Sequence, residues 1–185
     1  MRVDPKILAE MSADINRLSI IAERFSKIGS RPTLDEVSMV SAIEKAVLYI
    51  KNRASKKVVF TITYHIPLDL HVKLNNSLFE WVIENLCKNA IDAMDGEGKI
   101  DIEVGELHEY VTIDIKDTGK GIPKSKFKTV FNPGYTTKKR GWGLGLSFVK
   151  RIVTNYHAGK VFVKQSELNS GTTFRILLRK MQEKK

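Results

Sequence analysis

Apolar residues at Leu8, Met11, Ile15, Leu18, Ala22 and Phe25 fall alternately three and four apart, and Ile21 and Ile28 widen the stripe. That is the seam of an amphipathic helix over residues 1–28. Asp4 suits its N-cap, Pro5 its first turn, and Gly29 with Pro32 its end. The stripe fits pairing in a dimeric bundle, the reading adopted, or docking on the chain's own domain. Residues 29–34 read as a linker. Val40, Ile43, Val47 and Ile50 then mark a second amphipathic helix. Val58–Tyr64 is rich in β-branched and aromatic residues and reads as a strand, with 70–74 a shorter one. Asn75 is placed to cap a long helix reaching about Met94, with Phe79, Val82, Ile83, Leu86, Ala90 and Ile91 on its buried side. Alternation over 99–105 and 110–116 predicts an antiparallel hairpin across 106–109. Beyond a lysine-rich loop after Gly121, residues 144–156 read as a helix ending near Gly159. Residues 160–165 and 172–178 read as two closing strands.

Helices and antiparallel strands mix without a βαβ rhythm. This predicts an α+β fold: a two-layer sandwich of a mixed, mainly antiparallel sheet with helices on one face, preceded by one N-terminal amphipathic helix. The expected division is residues 1–30 for that helix and 31–185 for the main domain. Of the 185 residues, 42% are hydrophobic and 28% charged, which excludes a long disordered chain or a collagen-like fibre. The longest uncharged run, 58–68, falls far short of the roughly 20 apolar residues of a membrane-spanning helix. The N-terminus has no apolar signal core, so a cytoplasmic location is expected, with membrane tethering of a longer protein left open. The single cysteine, Cys87, excludes an internal disulfide and a multi-cysteine metal site. Lys plus Arg number 31 against 21 Asp plus Glu, a net charge of +10 that suits a polyanion: nucleic acid, an acidic membrane face or a nucleotide.

Four segments carry candidate chemistry. On the long helix, Asn85, Asn89 and Asp92 are spaced four and three apart and share a face opposite the apolar stripe. Asparagine is a mediocre helix former, so two of them one turn apart call for a reason. Their carbonyl oxygens suit Mg²⁺; taken alone, a solvent-facing or helix-packing pair is the simpler reading. Asp117-Thr118-Gly119-Lys120-Gly121-Ile122 follows a strand. There a carboxylate can accept from an exocyclic amine, and the glycines let backbone approach a flat ring; an ordinary Asp/Gly turn is the alternative. Gly141-Trp142-Gly143-Leu144-Gly145-Leu146 opens a helix, where free N–H groups and the helix dipole favour phosphate. Its spacing is neither the Rossmann nor the Walker fingerprint. Between these motifs, residues 123–141 hold Lys124, Lys126, Lys128, Lys138, Lys139 and Arg140 and no acid. Gly, Pro and Thr punctuate the segment as a mobile lid requires, and Phe127, Phe131 and Tyr135 argue against a fully solvated loop.

In this order the segments resemble the ATP-binding catalytic domain of sensor histidine kinases, within the gyrase, heat-shock-ninety and mismatch-repair ATPase superfamily. The resemblance covers about residues 35–178. Asn85-Leu86-Cys87-Lys88-Asn89-Ala90 matches the N box, 117–122 the G1 box, Phe131-Asn132-Pro133-Gly134-Tyr135-Thr136-Thr137-Lys138 the F box, 141–146 the G2 box, and Gly171-Thr172-Thr173-Phe174 the last G box. The resemblance implies that Asn89, with Asn85, holds Mg²⁺ on the triphosphate of ATP. Asp117 would accept the adenine amino group, with Gly119, Gly121 and Ile122 lining the pocket and Thr172 near the ring. Lys138 would reach the phosphates, and Gly141, Gly143, Leu144, Gly145 and Leu146 would close on them. It further implies two partners: a phosphoacceptor histidine domain of the same protein and a response regulator.

Two departures stand out. Many kinases of the family carry a basic residue three after the second asparagine; here it is Asp92, as in the nitrogen-regulatory type. The histidines His65, His71, His108 and His157 all lie inside the ATP-binding region, none in a His-Glu or His-Asp helix motif. Residues 5–28 resemble the second helix of the dimerisation hairpin without the first, so the chain reads as a fragment that binds ATP without labelling itself, and a homodimer through this helix is a possible state. The alternatives are an anti-sigma-type serine kinase, which lacks the hairpin, or a non-catalytic nucleotide-binding or dimerisation scaffold. No nucleic-acid-binding motif is readable. A gyrase-like ATPase would place a general-base glutamate where Asn85 stands; Glu84 is adjacent but off the asparagine face.

Overall fold

The apolar face of the long central helix and the inward-facing residues of one sheet make the core. The computed structural model describes residues 32–138 and 142–181. The helix expected over 1–28 and Gly141 of the G2 box lie outside the described residues. From Leu34 onward the chain belongs to one compact unit. Its elements in order are β1 (Asp35–Ser38), α1 (Met39–Lys51), β2 (Val58–Tyr64), β3 (His71–Leu74), α2 (Asn76–Ala93), β4 (Gly98–Leu107), β5 (Tyr110–Asp117), α3 (Gly145–Arg151), β6 (Lys160–Glu167) and β7 (Gly171–Arg179).

The main sheet has five strands in the order β2-β4-β5-β7-β6. Only β2 and β4 run parallel; the other three pairs are antiparallel. The mixed, mainly antiparallel sheet thus stands as expected. Ile100, Ile102 and Val104 of β4, Val111, Ile113 and Ile115 of β5, and Phe174, Ile176 and Leu178 of β7 alternate onto one buried face. Against it lie Phe79, Val82, Ile83 and Leu86 of α2. Asn75 caps α2, its side chain accepting from Leu78 N, as the sequence predicts.

The structure differs from the sequence reading at the edges of elements. Strand β1, unforeseen, is held only by β3 in a two-stranded ladder; its four residues Asp-Glu-Val-Ser carry no alternation long enough to read. The β4–β5 hairpin turns through His108 and Glu109 alone, with Leu107 paired to Tyr110 and His108 at φ 53°. Both strands are therefore longer than their apolar alternation suggests. The last helix is not uniform: after Arg151 it widens into a single π-helical stretch, Ile152–Tyr156. His157 closes that stretch, its Nδ1 3.0 Å from Ile152 O while Nε2 accepts from Asn75 N at 3.0 Å. Ile152 O can only accept and Asn75 N can only donate, so the ring is the neutral Nδ1–H tautomer. Burial lowers its pKa, against the pull of those two bonds.

Candidate functional site

The inward alternation of β5 carries past Ile115 to Asp117, which puts a carboxylate on the buried face at the strand's end, 3% exposed. Its Oδ1 accepts from Gly119 N at 2.8 Å and from Thr172 N at 3.2 Å. Oδ2 accepts no hydrogen bond, and no cation pairs with the group, among the described residues. Burial raises the Asp117 carboxyl, and the two N–H bonds oppose the rise.

The loop after Asp117 is clamped on both sides. Lys120 N donates to Ala93 O at the end of α2 (2.9 Å), and Lys120 O accepts from Asn169 N in the β6–β7 turn (2.9 Å). Ile122 N donates to Ser166 Oγ at 2.7 Å. Gly121 has φ +73°, and a Cβ there would stand 2.0 Å from Glu167 O. No side chain fits, so the glycine is dictated by close backbone approach.

A second group of residues sits along α2. Asn85 Nδ2 donates to Trp81 O at 2.9 Å, which turns its Oδ1 toward the start of α3; a Cβ on Gly145 would lie 2.9 Å from that oxygen. One turn on, Asn89 Oδ1 accepts from Lys138 Nζ at 2.9 Å, and the same ammonium reaches Asp92 Oδ2 at 2.5 Å. The lid lysine therefore rests on the asparagine face. Glu84 pairs with Lys88 at 2.5 Å, one turn along its own helix.

The lid is anchored at its root and joined at its neck. Phe131 meets Phe174 of β7 edge to face, centroids 6.1 Å apart. Gly134 N donates to Gly143 O at 3.0 Å. Gly143 has φ +66°, and a Cβ there would come within 2.4 Å of the Gly134 backbone. Leu144 and Leu146 are half-buried at the start of α3, which Trp81 and Phe148 hold to α2 with centroids 5.2 Å apart.

The structure brings together Asp117, Gly119, Gly121, Ile122 and Thr172 at the sheet end, and Asn85, Asn89, Lys138, Gly143 and Gly145 along α2. Sequence reasoning missed Ser166, which joins the Ile122 loop to Thr172. It also missed Thr118, whose hydroxyl accepts from Lys99 N at 3.1 Å and lies 3.3 Å from Met94 Sδ. A polar residue at an inward strand position could have flagged Ser166, but a register shift between Val163 and Gln165 breaks the alternation leading to it.

A mixed sheet covered by an asparagine-bearing helix, with a buried carboxylate at the end of β5 and a basic lid whose lysine reaches that helix, fits a nucleotide-binding ATPase. Residues 75–182 match the family described as histidine kinase-, DNA gyrase B- and HSP90-like ATPase, and the chain belongs to it. It is 37% identical over 62% of its length to Sensor kinase CckA of Brucella abortus, of which it covers 14%. It is 32% identical over 94% of its length to Adaptive-response sensory kinase SasA of Synechocystis, of which it covers 45%. The chain thus spans less than half of either relative. Among solved structures, the nucleotide-free catalytic domain of histidine kinase ThkA superposes with a TM-score of 0.72 at 27% identity, covering 80% of this chain and 97% of that one. The structure of ThkA in complex with response regulator TrrA matches all of this chain and 55% of that one, with TM-score 0.75 and 25% identity. The fold is that of a histidine kinase catalytic domain. No helix of the described residues is long and apolar enough to cross a membrane.

Proposed function

We propose that the chain binds Mg·ATP and presents its γ-phosphoryl group to a histidine on a dimerisation domain of the same protein, in two-component signalling. The observation that carries this reading is Asp117: a buried carboxylate with one oxygen engaged by two N–H groups and the other unbonded, in a fold whose covering helix carries amide oxygens and a lysine from the lid. In this reading Oδ2 accepts the adenine amino group, Gly119, Gly121 and Ile122 line the ring, and Thr172 lies beside it. Lys138, with Gly143, Leu144, Gly145 and Leu146, approaches the phosphates, and Gly141 completes that segment. Asn89 and Asn85 offer hard neutral oxygens, which fit Mg²⁺ shared with phosphate. The Lys138 ammonium rests on Asn89 Oδ1, so that oxygen already faces positive charge, which supports the reading. Bound there, Mg²⁺ would neutralise triphosphate charge. Lys138 then exchanges Asp92 and Asn89 for a phosphate oxygen, adding charge where phosphoryl transfer needs positioning and neutralisation.

His157 is buried and its two ring nitrogens are occupied, while His108 forms a turn and His71 bonds Asp69 O. His65 also lies outside any helix, so in this reading the acceptor histidine belongs to a dimerisation domain, to which residues 1–30 are assigned, with 31–185 as the ATP-binding domain. A homodimer through that helix, a response regulator receiving the phosphoryl group and a cytoplasmic location belong to the same reading. The relation of ThkA to its response regulator supports it.

Calorimetric titration with ATP, with and without Mg²⁺, tests it. Saturable binding that weakens without Mg²⁺ and in Asp117→Asn is expected. Absence of binding at millimolar ATP overturns the reading. Acid-labile label on the chain alone, incubated with γ-labelled ATP, would refute the placement of the acceptor histidine.

A further inference from the structure

Ser166 lies at the centre of a small hydroxyl network beside Asp117. Its Oγ receives Ile122 N at 2.7 Å, stands 2.9 Å from Gly171 O and stands 2.9 Å from Thr172 Oγ1. Counting protons assigns the directions. The Ile122 N–H can only donate, so it takes one lone pair of Ser166. Gly171 O can only accept, so the Ser166 proton goes there. The one arrangement that makes all three bonds then has the Thr172 hydroxyl donate its proton to the remaining lone pair of Ser166. Thr172 Oγ1 is left with lone pairs alone to offer elsewhere. Its main-chain N–H is bound to Asp117 Oδ1, and Asp117 when ionised is also acceptor-only. The Thr172 and Asp117 side chains share the inward face of β7 and β5, where Phe174 pairs with Ile115 one step along the ladder.

We propose that Ser166 is a specificity-positioning residue: by taking up the Thr172 hydroxyl proton it makes the sheet end a pocket of acceptors, matched to a purine with a 6-amino donor and hostile to a 6-oxo purine. The inference rests on the adenine reading of this site. Two acceptors facing an oxo group leave buried lone pairs unpaired, the kind of mismatch that discriminates well. Ser166 also holds the Ile122 N–H, so its loss loosens the loop. That structural effect weakens every nucleotide alike and does not change their ratio.

Calorimetry with ATP and inosine triphosphate, which replaces the 6-amino group by a 6-oxo group, separates the two effects. Wild type is expected to prefer ATP. In Ser166→Ala the Thr172 proton is released and can turn toward a 6-oxo group, so the ATP-to-inosine-triphosphate affinity ratio falls by about tenfold. Ser166→Thr, which keeps the hydroxyl, restores it. Thr172→Val lowers the ratio without touching the Ile122 bond, and the double variant Ser166→Ala/Thr172→Val lowers it no further than the single ones. An unchanged ratio in Thr172→Val, or equal losses for both nucleotides in Ser166→Ala, overturns the proposal while ATP binding stands. Equal wild-type affinities for the two nucleotides overturn it as well. Failure of wild type to bind ATP at all refutes the adenine reading itself.

Discussion

Asp114 and Asp117 stand three residues apart on β5 and meet opposite environments. Asp114 lies on the face of the sheet away from α2, 5% exposed. Arg175 grips it through Nε and Nη2, both at 2.6 Å, and Lys164 reaches it at 2.7 Å. Burial alone would raise its pKa, but the two cations prevail and hold it below the ordinary carboxylate value. Asp117 is equally buried on the other face, has only N–H partners, and its pKa is raised. One carboxylate is spent on internal pairing across three strands. The other retains an oxygen for a ligand. Burial by itself therefore does not mark a functional acid; a buried carboxylate with no cation beside it and an oxygen left unbonded is the candidate.

The largest expected effect breaks the Asp114 side of the comparison. Asp114→Asn leaves Arg175 and Lys164 without their counter-charge and costs about 2–3 kcal/mol of stability in urea unfolding. That is below the roughly 3–5 kcal/mol for breaking a fully buried pair, because Lys164 is partly exposed. ATP affinity, read by calorimetry, should hold within about twofold because the sites are independent. Asp117→Asn should do the reverse. ATP affinity falls about tenfold to a hundredfold, the value of a charged hydrogen bond, while stability is unchanged or slightly higher. If both variants lose stability alike, the division of labour between the faces is wrong.

Acid titration sharpens the contrast because the two shifts have opposite signs. Asp114, lowered, contributes stability present above its unfolded pKa of 3.8 and lost as pH falls through its lower folded value. Asp117, raised, protonates first, above 3.8, and its folded form gains stability as it does so. ATP binding should therefore weaken at a pH where the fold, followed by circular dichroism, is still intact. Asp117→Asn should remove that part of the binding profile. The smallest effect is expected at the lid. Lys138 and Asp92 are 39% and 52% exposed, so Asp92→Asn should change stability by less than about 1 kcal/mol. A larger loss in urea unfolding would show that the lid is fixed as firmly as the sheet end.

Much of this was legible along the chain. Asn75 as a cap, the apolar stripe of α2 and the alternation of β4 and β5 are local signals, and each element formed where its signal lies. The glycine motifs were read as letting backbone approach a ring and phosphates; the close approach seen at Gly121 and Gly143 is to the chain's own backbone, at Glu167 and Gly134. What was not legible depends on partners distant in sequence. Strand β1 exists only through its ladder with β3, and nothing within Asp35–Ser38 prefers extension. Ser166 is drawn to Ile122 across 44 residues, through a strand whose register shift hides which way it faces.

Sequence alone determined the class of fold, the order of the boxes and the residue types able to meet a nucleotide, because periodicity, caps and turn glycines act over a few residues. Tertiary structure alone decided which of two buried aspartates on one strand keeps an oxygen unbonded, that Lys138 rests against Asp92 and Asn89, and that Ser166 sets the proton of Thr172. The physical reason is that hydrogen-bond and charge compensation is settled between neighbours in space, and those neighbours are chosen only when the sheet and its helices close.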